Sequence, residues 1–356
     1  MTARTFGVEE EFLLVDARSG HPMAVGSAVL AMSKAEELTG ELQQEMLETA
    51  TRPCRSVDEL GTQLRSARSA AAAAAEEVGA ALAPLASSPV PVSPTVSPSH
   101  RYAAMARRFG LTVHENLICG CHVHVGIESP DEGVAALDRI RPWLAPVLAV
   151  STNSPFWFGE DSGHASYRSQ VMLRWPTAGS YAPFGGVEGY RAFVDAVIGT
   201  GTVLDEGMVY LDARLSRKYP TVEVRVADVC RESDDAVLVA ALIRALVETA
   251  IAEWHDGVEP DSVRMEVLRL AMWRAARSGI DADLIDPTTW RPAPAADVLG
   301  RLVDHVTPAL EEAGDLLTVG TLLAAVLERG TGAHRQRAVY KRTADFAAVA
   351  RDALHR

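Results

Sequence analysis

Apolar and polar positions alternate with a period of two in three separate stretches of the chain. In Phe6-Gly7-Val8-Glu9-Glu10-Glu11-Phe12-Leu13-Leu14-Val15, an extended backbone puts Phe6, Val8, Phe12 and Leu14 on one face. Glu9 and Glu11 then share the other face, about 7 Å apart. Three successive acids are poor strand formers, yet the apolar flanks predict a strand. Glu10 falls on the apolar face, where a bulge would turn it outward. Gly120-Cys121-His122-Val123-His124-Val125-Gly126 alternates in the same way, within a strand expected over 117–127. Cys121, Val123, Val125 and Ile127 form its apolar face, and His122 and His124 stand on the other beside the two glycines. In Thr221-Val222-Glu223-Val224-Arg225-Val226, three valines oppose Glu223 and Arg225. This stretch belongs to two strands predicted over 209–228 around the turn Lys218-Tyr219-Pro220.

Helical periodicity occupies most of the remainder. Ser56-Val57-Asp58-Glu59 reads as a capping box opening a helix that runs through the alanines at 70–75 to near Pro84. Further helices are expected over 131–149, broken near Pro142 and Pro146, and over 190–198. After Ser233 the pattern is almost wholly helical: 234–254, 261–277, 297–313, 316–329 and 341–354. Residues 18–26 and the Pro/Ser-rich stretch 87–99 read as loops. The aromatic, turn-rich stretch 151–189 has the make-up of a site-bearing loop region. Strands and helices come in mixed order, without regular strand–helix alternation, so the class is α+β. A single domain, 1–356, is expected, with chemistry in 6–230 and a mostly helical part in 233–356.

Composition narrows the functional classes. The 356 residues are 48% hydrophobic, ample for a large core. A formal net charge of −13 argues against nucleic acid and against an anionic membrane as partner. No basic start followed by an apolar run marks a signal peptide, and no apolar segment is long enough to span a bilayer. The four cysteines (Cys54, Cys119, Cys121, Cys230) do not form a zinc pattern. Cys119 and Cys121 would share one face of a strand, a poor geometry for a disulfide. The simplest account is a reduced cytoplasmic protein, and the sequence leaves room for a homo-oligomer.

Carboxylates crowded on one strand face repel unless a cation lies between them. Taken singly, each stretch has a bland explanation: a solvated acidic edge, a structural histidine, a cross-strand ion pair. The recurrence of one design in three strands points elsewhere. Carboxylates with histidine suit a hard divalent cation, Mg²⁺ or Mn²⁺, better than zinc. Glu41, Glu45 and Glu48 offer further carboxylates, although Glu41 and Glu48 can meet only across a turn or a helical piece. Arg168 and Arg174 in the turn-rich middle either grip anionic substrate groups or pair with surface acids, the commoner fate. A metal cage beside arginines is the equipment of phosphoryl transfer. No P-loop and no Gly-x-Gly-x-x-Gly turn is present, which disfavours P-loop enzymes and Rossmann dehydrogenases.

Gly7-Val8-Glu9-Glu10-Glu11-Phe12, Gly120–Gly126, Arg174-Trp175-Pro176-Thr177 and Val222-Glu223-Val224-Arg225 follow one another in order. Together they resemble the motifs of carboxylate–amine ligases of the glutamate–cysteine ligase type 2 family. The resemblance implies a glutamine synthetase-like catalytic fold: a curved antiparallel sheet lining an ATP and metal funnel, helices outside, and Mg²⁺ or Mn²⁺ ions. By position it implies that Glu9, His122 and Glu223 hold the metal bridging the ATP phosphates. Glu11 and Glu48, with Glu41 a weaker candidate, would hold the metal nearer the carboxylate substrate. Arg225 would contact the transferred phosphoryl group as the catalytic arginine, and Arg168, Arg174 and His124 would bind substrate or phosphate. The implied activity is ATP-dependent amide formation through an acyl phosphate, with glutamate as acid and cysteine as amine. Two alternatives keep the same architecture: a guanidino-kinase-like phosphotransferase, and a non-catalytic nucleotide- or metal-binding protein.

Overall fold

In the computed structural model, which describes residues 3–33 and 37–355, strand β1 (Phe6–Val15) lies in the middle of a seven-stranded antiparallel sheet. The other strands are β2 (Leu38–Gly40), β3 (Met46–Ala50), β4 (Ala81–Ala83), β5 (Gly120–Gly126), β8 (Ala213–Leu215) and β9 (Thr221–Asp228), in the order β2-β3-β1-β5-β9-β8 with β4 also on β1. Two small hairpins, β6–β7 (Phe156–Trp157, Glu160–Asp161) and β10–β11 (Leu284–Asp286, Arg291–Ala293), stand apart from it. The period-two faces separate as their side chains require. Phe6, Val8, Cys121, Val123, Val125, Val222, Val224 and Val226 are buried in one continuous core with the helix Ser233–His255. That helix is apolar around most of its circumference because other helices cover its outer side, including Pro130–Ile140 and Ala295–Ala313. The opposite face of the sheet is left for polar residues.

Glu10 corrects the expected bulge. It stays on the core face, fully buried, because Arg68 of the helix Val57–Glu76 meets it with a two-pronged contact at 2.6 and 2.9 Å. The remaining guanidinium N–H groups reach the Cys230 and Arg231 carbonyls at 2.8 and 2.9 Å, and the Phe12 ring lies 5.4 Å away. The irregularity in the sheet falls instead on β5 against β9, between Cys121 and Val123. Arg68→Met should leave a buried carboxylate without a partner and cost about 3 kcal/mol in chaotrope unfolding. The double variant Glu10→Leu/Arg68→Met should regain most of that loss. A single variant as stable as the parent would show that water reaches Glu10.

Ser56 caps the helix Val57–Glu76 as its sequence suggests, Oγ accepting the Glu59 N–H at 3.2 Å. The helix stops at Glu76 rather than near Pro84, since Gly79 turns left-handed and Ala81–Ala83 pairs with Leu13–Val15. The helix expected over 131–149 breaks at Arg141–Trp143, around Pro142, but continues through Pro146, which sits in the first turn of Leu144–Ser151. Helices His100–Phe109 and Leu111–His114, and the β10–β11 hairpin, fall where the sequence reading expects no element, although Tyr102, Met105, Ala106 and Phe109 recur at helical spacing and pack into one cluster. The C-terminal helix expected over 341–354 is two helices, Gly332–Thr343 and Phe346–Asp352. They part at a left-handed Ala344, and Asp345 caps the second. No helix of the described residues is long and apolar enough to cross a membrane.

Candidate active site

The polar face of the sheet floors a cleft of about 470 Å³. Cross-strand register decides which side chains meet there. Glu9 lies opposite His122, Glu11 opposite Glu48, and His124 opposite Glu223. The tight connection between β2 and β3 brings Glu41 back towards Glu48, so the seven-residue gap is closed by a turn. Three groups of donors result, each with one atom per residue and all within 4.8 Å of one another: Glu9 with Glu48 and His122, Glu9 with His124 and Glu223, and Glu11 with Glu41 and Glu48. His122 and Glu223 therefore fall in different groups, and His124 stands where the sequence pointed to His122.

The electrostatics differ across the cluster. Burial disfavours the charge on Glu9, but His122 and His124, 3.7 and 3.4 Å away, overcome it and hold the carboxyl far below its usual range. Burial works against Glu223 too, and is outweighed by Arg225 and by Arg214, which grips both carboxylate oxygens at 2.8 and 3.0 Å. Glu41 and Glu48 go the other way. Burial first, then the Glu11 carboxylate, pushes Glu41 up to about 7. Glu48 is raised by burial and by Glu41, Glu9 and Glu11. The far end of the cluster thus holds more negative charge than the protein compensates. Oxygen and imidazole donors around uncompensated negative charge fit a hard divalent cation, and none of the four buried cysteines belongs to these groups.

The arginines fall into distinct roles. Arg225 pairs with Glu223 and lies 3.4 Å from His122 Nδ1, while its buried Nε has no partner. Arg168 is 4% exposed, donates to the carbonyls of Arg225 and Val226 at 3.3 and 3.4 Å, and also keeps an unpartnered Nε in the cleft wall. Arg174 is exposed, joined to Glu115 at 2.6 Å, and does not line the cleft. Glu45 is buried elsewhere, accepting the Thr95 N–H at 3.0 Å and so tethering the Pro/Ser-rich stretch.

Two further residues belong to this picture. Arg214, on a strand of only three residues, gives no alternation of its own. It is found by reflecting the hairpin about Lys218-Tyr219, which places it opposite Glu223. Gly120 is required by Arg168: a Cβ there would overlap the guanidinium and come within 2.9 Å of His122 Nε2. Gly120→Ala should displace Arg168, cost about 1–3 kcal/mol of stability, and slow turnover severalfold. Unfolding and steady-state rates check both parts. An unchanged rate would mean Arg168 has no influence on the reaction.

Residues 5–353 match the model of glutamate–cysteine ligase family 2. The chain belongs to that family. A relative from Paenarthrobacter aurescens, named "Putative glutamate--cysteine ligase 2-1", is 48% identical over 96% of this chain and 92% of its own. One of the same name from Streptomyces avermitilis is 49% identical over 96% and 95%. Among solved structures, glutamate–cysteine ligase from Francisella tularensis in complex with AMP superposes with a TM-score of 0.71, at 13% identity, over 99% of this chain and 88% of that one. A bifunctional glutathione synthetase from Pasteurella multocida gives 0.66 at 16% identity, over 99% and 52%. At those identities the likeness speaks for the fold, which is the α+β, glutamine synthetase-like arrangement expected.

Proposed function

We propose that this protein is an ATP-dependent carboxylate–amine ligase, with glutamate as the acid and cysteine as the amine. The reading rests on family membership. The structural observation that carries it is the set of three overlapping carboxylate–histidine groups beside Arg225 and Arg214 in one cleft. Glu9, His124 and Glu223, Glu9, Glu48 and His122, and Glu11, Glu41 and Glu48 would hold Mg²⁺ or Mn²⁺. The cations would neutralise phosphate oxygens and hold the acid beside them. The γ-phosphoryl group of ATP passes to a carboxylate oxygen, giving ADP and an acyl phosphate. The amine nitrogen then bonds to the acyl carbon, phosphate leaves, and the amine's proton goes to solvent. Arg225 faces the transferred group and Arg168 borders the acid.

A second chamber of about 630 Å³ adjoins the cleft and shares Glu9, His124 and Tyr219 with it. Arg52 and Arg55 stand on its wall, so it suits the adenosine end of ATP while the triphosphate turns towards Glu9. The catalytic strands and the C-terminal helices act as one domain in this reading, in the cytoplasm, where ATP and reduced thiols are at hand. The test is ADP release with amino acids supplied in pairs, with product mass measured. Amide and free phosphate in equal amounts are expected with glutamate and cysteine. A stable phosphoguanidine, or nucleotide binding without turnover under every pair, would replace the ligase by a kinase or a binding protein.

A further inference from the structure

The motif Arg174-Trp175-Pro176-Thr177 is left without a task by the chemistry of the cleft. Its side chains instead tie neighbouring segments together. Arg174 holds Glu115 at 2.6 Å, while Thr177 accepts the Tyr210 N–H at 3.1 Å and donates to the Met208 carbonyl. Between them Trp175, 3% exposed, packs edge-on against Phe109 and tilted against Tyr210, with ring centroids 5.3 and 5.2 Å away. Its indole N–H donates to Asn116 Oδ1 at 3.1 Å. Asn116 is 9% exposed and lines the cleft. The N–H groups of its amide have no hydrogen-bond partner among the described residues.

An indole N–H can only donate, so it fixes which way the amide points: Oδ1 to Trp175 and Nδ2 into the cleft. A group that offers nothing but N–H meets an acceptor, and its place says which. Gln43, two residues from Glu41, donates to the Val113 carbonyl at 2.6 Å, and the Gly120 N–H donates to Glu11. Asn116 lies between those two ties, at the Glu11–Glu41–Glu48 end of the cleft, and takes no part in the wall of the chamber assigned to the nucleotide. We propose that Asn116 is a specificity-determining residue that donates from Nδ2 to the carboxylate of the acid substrate that does not react, and that Trp175 is the positioning residue that orients it. The inference rests on the ligase reading. In that reading the reacting carboxylate lies beside the cations, whereas the acid's other carboxylate needs uncharged or cationic donors amid so many acids. A phenyl ring at position 175 would fill most of the same space, but only indole carries the N–H.

The test compares L-glutamate with isoglutamine, its α-amide, which keeps the γ-carboxylate and the ammonium. Both are titrated calorimetrically into the full chain with Mg²⁺ and a non-hydrolysable ATP analogue, so that binding is read without turnover. The parent is expected to favour glutamate by about tenfold or more. Asn116→Asp keeps the shape and the bond from Trp175 but turns an acceptor into the cleft, so the preference should vanish or reverse. Trp175→Phe frees the amide to flip and should cut the preference severalfold, with no further effect in an Asn116→Ala background. A change confined to packing or to metal binding would weaken both ligands alike and leave the preference standing. No preference in the parent, an unchanged preference in Asn116→Asp, or additive effects of the substitutions at 116 and 175 would each overturn the assignment. Asn116→Asp decides alone should Trp175→Phe not fold. Glutamyl hydroxamate formed from ATP, glutamate and hydroxylamine reports the ligase reading separately. Its absence from the parent would sink that reading and the assignment with it, whereas its presence with an unaltered preference in Asn116→Asp would sink the role of Asn116 alone.

Discussion

Glu9→Gln is expected to lower turnover at least a thousandfold, about 4 kcal/mol of lost transition-state stabilisation. Glu9 belongs to two of the three donor groups, so its loss opens both at once. A neutral amide keeps the size but offers no charge to a divalent cation. Stability separates this effect from simple unfolding. The folded carboxyl of Glu9 lies below its usual pKa of 4.5, so its contribution is present above pH 4.5 and is lost as pH falls. Glu9→Gln should therefore melt lower than the parent in metal-free buffer at pH 7. Glu48 has the opposite sign. Its charge is disfavoured in the fold, so Glu48→Gln should melt higher in the same buffer and should gain less from added Mg²⁺. Glu41, raised to about 7, gives the accompanying pH dependence. Its stabilising contribution is complete below pH 4.5 and is lost as pH rises through about 7, on the order of 3 kcal/mol. Mg²⁺ should abolish that decline. Full turnover by Glu9→Gln, or a flat metal-free melting curve from pH 4.5 to 7.5, would place the cation elsewhere.

The strands that build the site were legible because alternation leaves little freedom: one face of β1, β5 and β9 is apolar, so the other must carry Glu9, Glu11, His122, His124, Glu223 and Arg225. What alternation cannot say is which of these meet. His124, not His122, joins Glu223 because the two strands pair His124 directly with Glu223, which leaves His122 beside Arg225. Glu10 looked misplaced because its partner, Arg68, lies on a helix whose docking is a tertiary fact. Among the acids of residues 41–48, local pattern could not tell Glu41, in the cluster, from Glu45, which turns to the Thr95 amide. Arg174 has the sequence context of a site residue, yet its nearest acid, Glu115, takes it to the surface. Ala81–Ala83 follows a helix-forming run, and only the free edge of β1 makes it a strand. Residue type and period reveal the chemistry on offer, and register and docking decide its grouping.

Arg225→Lys should slow turnover at least a hundredfold while ATP affinity falls far less. One end of the Arg225 guanidinium is anchored on Glu223, and its Nε–H, buried and unpartnered, remains for a group arriving in the cleft. A planar fork can hold the carboxylate with one edge and a phosphoryl oxygen with another, whereas an ammonium is a point charge that the Glu223 carboxylate would draw to itself. The surrounding charge is kept, since Glu223 retains Arg214 at both oxygens, so the substitution should leave the fold and the donor groups in place. On the proposed reading the ground state would lose little, because cations and the second chamber would still bind the nucleotide. The transition state loses the donor that follows charge developing on the transferred group. ADP release at saturating glutamate and cysteine, set beside an ATP titration of both proteins, separates the possibilities. Equal turnover would make Arg225 a partner of Glu223 and nothing more. A loss of ATP affinity as large as the loss of rate would make it a ground-state phosphate contact. A rate that falls alone, with melting temperature and ATP affinity close to the parent's, is the outcome that the two-sided placement of this guanidinium requires.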